Sequence, residues 1–167
     1  LCQYIIKTLV FDLVPKCPLF ATKSSMIWNL LVRLLLGITD NLLWNDKQNY
    51  LADDLTESLL YSLFFVFLKS GISCDELWKR FGSCFKLWCH RVKTVLAWGS
   101  VLLALTCNVA SSLSANSGHE SVVFGMHSIE YILDDIDPDF LKFSWIRINS
   151  TFIIILISLI INFRFFA

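Results

Sequence analysis

Leu51, Leu55, Leu59, Leu63 and Phe67 follow one another at steps of four, with Asp53, Asp54 and Glu57 set off the stripe. That spacing lays an apolar band along one side of a helix and suits no strand, whose faces alternate every second residue. Trp28, Leu31, Leu35, Ile38 and Leu42 repeat the pattern upstream at steps of three and four. Leu30, Leu34 and Leu36 widen that band, so this helix is predicted to be touched on more than one side. No segment shows sustained strand alternation, an Asn-Gly hairpin or βαβ spacing. The predicted fold is all-α.

Local signals divide the helices. Residues 1–14 read as the end of a helix stopped by Pro15-Lys16-Cys17-Pro18. Ser24 and Ser25 are N-cap types before the Trp28 helix, and 45–49 is a polar linker. A third helix is predicted over Tyr50 to Ser70, with carboxylates near its positive end and Gly71 as its C-cap. Ser73 with Glu76 forms a capping-box pattern ahead of Leu77, Trp78, Phe81, Cys84, Phe85 and Trp88. A break at Cys89-His90-Arg91 leads into a helix reaching about Val109. Ser111 to Ser121 reads as a loop, and Val122 to Leu133 as a segment of open type. Asp137 caps a last helix that begins at Pro138. Antiparallel helices stacked as an α-solenoid are the expected architecture, although no fixed internal period is visible.

Composition then limits function. Apolar residues make up 56% of the chain and mean hydropathy is +0.62. Such a chain is expected to bury surface against neighbouring helices, a partner or lipid. The helical pattern is already under way at Leu1, so the chain is expected to be a fragment of something longer. Fourteen basic residues balance fourteen acidic ones, and no basic stripe interleaves with aromatics, so nucleic acid is not an expected partner. Six cysteines without a C-x-x-C pair suit a reducing, cytoplasmic setting.

The sequence offers little chemistry. His119-Glu120 and His127 lack the four-residue spacing of a zinc-protease helix. Cys84, Cys89 and His90 lack a fourth zinc ligand at a standard spacing. Asp134, Asp135, Asp137 and Asp139 lack the Gly and final Glu of a calcium loop. Phosphate-cradling glycine motifs and a nucleophile elbow are missing too. No catalytic residue, metal or cofactor is predicted. Trp28, Trp78, Trp88, His90, Arg91, Trp98 and Trp145 stand out instead as candidates for core packing or an interaction surface.

Trp88-Cys89-His90-Arg91, with Val95, Trp98, Val101 and Ala104-Leu105-Thr106, reads W-x-H-R-x3-V-x2-W-x2-V-x2-A-L-T. This resembles the N-terminal helical region shared by the α and β subunits of Ral GTPase-activating proteins. Trp28 with Leu31, Leu35-Leu36-Gly37-Ile38-Thr39-Asp40 with Leu42-Leu43, and Leu51-Ala52-Asp53-Asp54-Leu55 with Leu63-Phe64 and Val66 are similar to the same family. So is Pro138 to Trp145 with Arg147. The resemblance covers roughly residues 25–147, weakening from Cys107 to Tyr131, and leaves the choice between α and β subunit open. It implies a non-catalytic scaffold that assembles with a partner subunit and serves a Ral-type small GTPase indirectly, the GTPase-activating domain lying elsewhere.

Residues 148–167 depart from the family. Sixteen uncharged residues separate Arg147 from Arg164, a helix of roughly 24 Å against a hydrocarbon core of ~30 Å. Three readings stand: a membrane anchor through Phe152, Ile155, Leu159 and Phe163, a buried helix of the solenoid, or a chain end foreign to the protein. The first would make this a small single-pass membrane protein.

Overall fold

The computed structural model describes residues 2–18, 25–44, 50–113 and 136–165, the last stretch with side chains as far as Ile153. Six helices pack together and no strand occurs among the described residues. Helix α1 begins as an α-helix at Cys2–Lys7, widens to a π-helical stretch at Thr8–Leu13 and closes as Val14–Lys16. The break falls at Cys17, which is extended (φ −80°, ψ 123°), because the ring of Pro18 excludes its predecessor from the helical region. Helices α2 (Ser25–Leu43), α3 (Tyr50–Ser70), α4 (Asp75–Trp88), α5 (Val92–Leu113) and α6 (Pro138–Phe165) follow.

Two predicted ends hold in detail. Gly71 has φ +64°, a left-handed turn in which a Cβ would be strained. Asp137 accepts the Asp139 N–H on its side-chain oxygen at 3.3 Å, the capping bond that starts α6. Two others differ. The Ser73–Glu76 capping box does not form: Cys74 occupies the N-cap without a side-chain bond, and α4 starts at Asp75. The preceding turn is fixed by other contacts. Ser70 Oγ accepts the Ile72 N–H at 3.3 Å, and the Ile72 carbonyl accepts the Trp78 indole N–H at 2.9 Å. Helix α5 also continues to Leu113, past the predicted loop start at Ser111. The remainder of that loop, and the segment Val122 to Leu133, lie outside the described residues.

Cross-helix contacts fix the directions. Gln3 reaches the Asp54 carbonyl and Phe11 packs edge-on against Phe65, so α1 runs parallel to α3. Arg91 at the start of α5 bonds the end of α2 and the start of α3. Helix α3 therefore opposes α2 and parallels α5. Trp145 meets Thr106, and Arg147 meets Asp75, so α6 opposes α5 and parallels α4. Direction alternates from each described helix to the next. Helix α3 lies between α1 and α5 and also packs on α2. It is correspondingly buried on nearly every side from Leu55 to Leu68.

The core is aromatic where α3, α4 and α5 meet. Phe67 stacks on Phe81 with centroids 4.6 Å apart, while Trp98 packs on Phe85 at 3.8 Å, Phe64 at 5.1 Å and Phe81 at 5.3 Å. Large rings let these helix axes stand well apart and still bury continuous apolar area. Trp78 extends the cluster to Phe143 of α6.

Helix α6 crosses the 147/148 boundary without a break. Ile148 is fully buried, Phe152 packs on the core, and Thr151 lies against Gly82 of α4, where a Cβ would stand 3.2 Å from it. The side chains of Ile155, Leu159 and Phe163 lie outside the described residues. Two other stretches, Met26–Leu43 in α2 and Val92–Ala110 in α5, are long and apolar enough to cross a membrane by length and composition. Both contribute core residues to the bundle.

Candidate functional site

At one end of the bundle four helices close on a small polar junction. Its centre is the α4–α5 turn, Cys89-His90-Arg91, where the chain reverses so tightly that Trp88 and Arg91 both turn inward. The Arg91 N–H bonds the Trp88 carbonyl at 3.0 Å, and the Arg91 carbonyl accepts Thr94 N–H at 3.0 Å to begin α5.

Each inward side chain reaches a different helix. Trp88 is fully buried and its indole N–H donates to Asp40 Oδ1 of α2 at 3.0 Å. Arg91, 8% exposed, donates through Nε to the Leu43 carbonyl at 3.2 Å, satisfying one of the carbonyls left open at the C-terminus of α2. Its Nη1 pairs with Asp53 Oδ1 in the first turn of α3. Lys93 Nζ then donates to the Asp53 backbone carbonyl at 3.0 Å. Arginine suits this place because its fork serves a carboxylate and a carbonyl at once, where lysine offers a single point charge.

Burial next to Asp40 also acts on a thiol. Cys84, one turn before Trp88, has its pKa pushed up to about 11, first by desolvation and then by the Asp40 charge, with Arg80 opposing. Burial raises Cys89 as well. Both thiols are therefore poor nucleophiles near neutral pH. Among the described residues no cluster of three or more His, Cys, Asp and Glu has metal-binding geometry.

The sequence-predicted residues separate by place. Trp88, Arg91 and His90 meet at the junction, where His90 is exposed and its Nδ1 lies 2.7 Å from the Leu87 carbonyl. Trp28, Trp78 and Trp98 are core side chains. Trp98 differs from Trp88 in that its buried Nε1 meets no acceptor among the described residues. Trp145 is half-buried and donates to Thr106 Oγ1 at 3.0 Å, tying α6 to α5. Arg147 pairs with Asp75 and lies over the Phe143 ring at 5.1 Å. Phe152 packs on the core edge, and its companions Ile155, Leu159 and Phe163 have no described side chains.

Sequence reasoning missed Asp40 and Asp53 as partners of this turn. They stand 48 and 38 residues from Trp88 and Arg91 respectively, beyond any local signal. The segments Gly37 to Asp40, Leu51 to Leu55 and Trp88 to Arg91 are three of the pieces that carry the family resemblance, and the fold brings all three into one contact.

The model of the RALGAPB N-terminal domain matches residues 1–115, taking in α1 to α5 and favouring the β side of the choice left open by the motifs. A Rap-GAP domain-containing protein of Dictyostelium discoideum is 30% identical over 131 residues, 77% of this chain. The chain spans only 8% of that relative's length. No solved structure matches. With two thirds of its length under the family model, the chain belongs to the RALGAPB N-terminal domain family.

Proposed function

We propose that these helices form a non-catalytic scaffold segment of a Ral GTPase-activating protein subunit. The helices would stack as part of an α-solenoid and assist assembly with a partner subunit in the cytoplasm. A Ral-type small GTPase would be served indirectly, by a catalytic domain carried elsewhere. The observation behind this reading is the junction. The motif residues Asp40, Asp53, Trp88 and Arg91 point at one another and fasten helices together, so their chemistry goes into shape.

Alternating helix directions, with α3 set between α1 and α5, support the stacked arrangement. The test is co-precipitation of the longer subunit with its partner subunit after deletion of the stretch equivalent to residues 25–147. Loss of the partner, with the GTPase-activating domain still active when isolated, is the expected result. Normal assembly without these helices would contradict the proposal.

A further inference from the structure

The junction leaves one side of the α4–α5 hairpin electrically and chemically distinct. From Leu77 to Leu113 the chain carries Lys79, Arg80, Lys86, Arg91 and Lys93 but no Asp or Glu. Among the acids at this end, Asp40 accepts from Trp88 and Asp53 pairs with Arg91, while the neighbouring Asp54 is exposed. Lys79 and Lys86 are exposed on α4, and Lys93, exposed at the start of α5, donates to the Asp53 carbonyl. Next to them stand large apolar side chains that the described residues leave exposed: Leu87 is 52% exposed, Val92 72% and Leu96 63%. Trp44, 64% exposed, follows Leu43, whose carbonyl Arg91 grips, so it belongs to the same end.

We propose that this outward side of the turn is a docking site for an anionic lipid surface. Lysines would meet the headgroups while Leu87, Val92 and the Trp44 ring enter the interfacial layer. Apolar tips beside basic groups fit a bilayer better than a phosphate polymer, against which leucine and valine would have nothing to bury. The junction beneath holds the turn in place, so little order is lost on binding. This inference does not depend on the scaffold reading.

The test is sedimentation of the 167-residue chain with phosphatidylcholine vesicles and with mixed phosphatidylcholine–phosphatidylserine vesicles. Binding to the mixed vesicles alone, weakened by raised salt, is expected. Lys79→Glu with Lys86→Glu should weaken it about tenfold or more. Leu87→Ser with Val92→Ser should weaken it while leaving the circular dichroism unchanged, since both side chains are already exposed. Equal binding to both vesicle types, or binding that survives these changes and falls only with Ile155→Lys, would overturn the inference. So would failure of the folded chain to sediment with either.

Discussion

Trp88 and Trp98 are ten residues apart, and both are buried to within 1%, yet they do different work. Trp88 spends its indole N–H on Asp40 of α2. Trp98 buries the same group without an acceptor among the described residues and is held by the rings of Phe64, Phe81 and Phe85. The aromatic core supplies most of the driving force, because apolar burial is large and undirected. The polar junction adds less energy and more definition. A directed bond between named atoms fixes which helix ends meet, which packing of interchangeable rings cannot do alone.

The largest effect expected from breaking this contrast is in the core. Trp98→Ala should cost about 3–5 kcal/mol in urea unfolding, through lost burial and the cavity left among three rings. A cost below about 1 kcal/mol would mean that the cluster is not packed as described. Next comes the pair Trp88→Phe and Trp98→Phe. Both lose ring volume, but only the first strips Asp40 of its donor, so it should be worse by about 1–2 kcal/mol. Equal costs would remove the distinction between the two regions.

Glycines sharpen the same comparison at a smaller scale. Gly37 in α2 has open space where a Cβ would stand, whereas Gly82 in α4 faces Thr151 at 3.2 Å. Gly37→Ala should therefore stabilise by about 0.5–1 kcal/mol through helix propensity. At Gly82 that gain is offset by crowding against α6, so Gly82→Ala should be neutral or destabilising. A gain at Gly82 equal to that at Gly37 would place α6 farther from α4. The smallest effect is chemical. With its pKa pushed up to about 11, Cys84 should react with iodoacetamide far more slowly at pH 8 than the exposed Cys2. The sign for stability follows. The folded state favours the protonated thiol, so this contribution is present below pH 9 and is lost as pH rises towards about 11.

Much of the fold was legible because its causes are local. The bounds of α3, the left-handed turn at Gly71 and the Asp137 cap each depend on residues within a turn of one another. The Ser73–Glu76 box misled because neighbouring groups compete with it: Trp78 donates back to the Ile72 carbonyl and Ser70 Oγ accepts the Ile72 N–H, and α4 starts at Asp75. The junction was legible by half. Trp88 and Arg91 stood out as residue types in an arresting pattern, but Asp40 and Asp53 looked like ordinary solvated carboxylates until the fold brought them near. The Arg147–Asp75 pair, 72 residues apart, had no sequence signal at all. The π-helical stretch of α1 had none either.

The most direct measurement is a double-mutant cycle on Arg91 and Asp53, using Arg91→Ala, Asp53→Ala and the double variant in equilibrium unfolding. Arg91 is nearly buried while Asp53 is about half exposed, so solvent screening reduces the pair below a fully buried one. A coupling of about 1–2 kcal/mol is expected, with Arg91→Ala the costlier single change because it also releases the Leu43 carbonyl. Strict additivity of the two single changes would contradict the claim that this turn fastens the helices together.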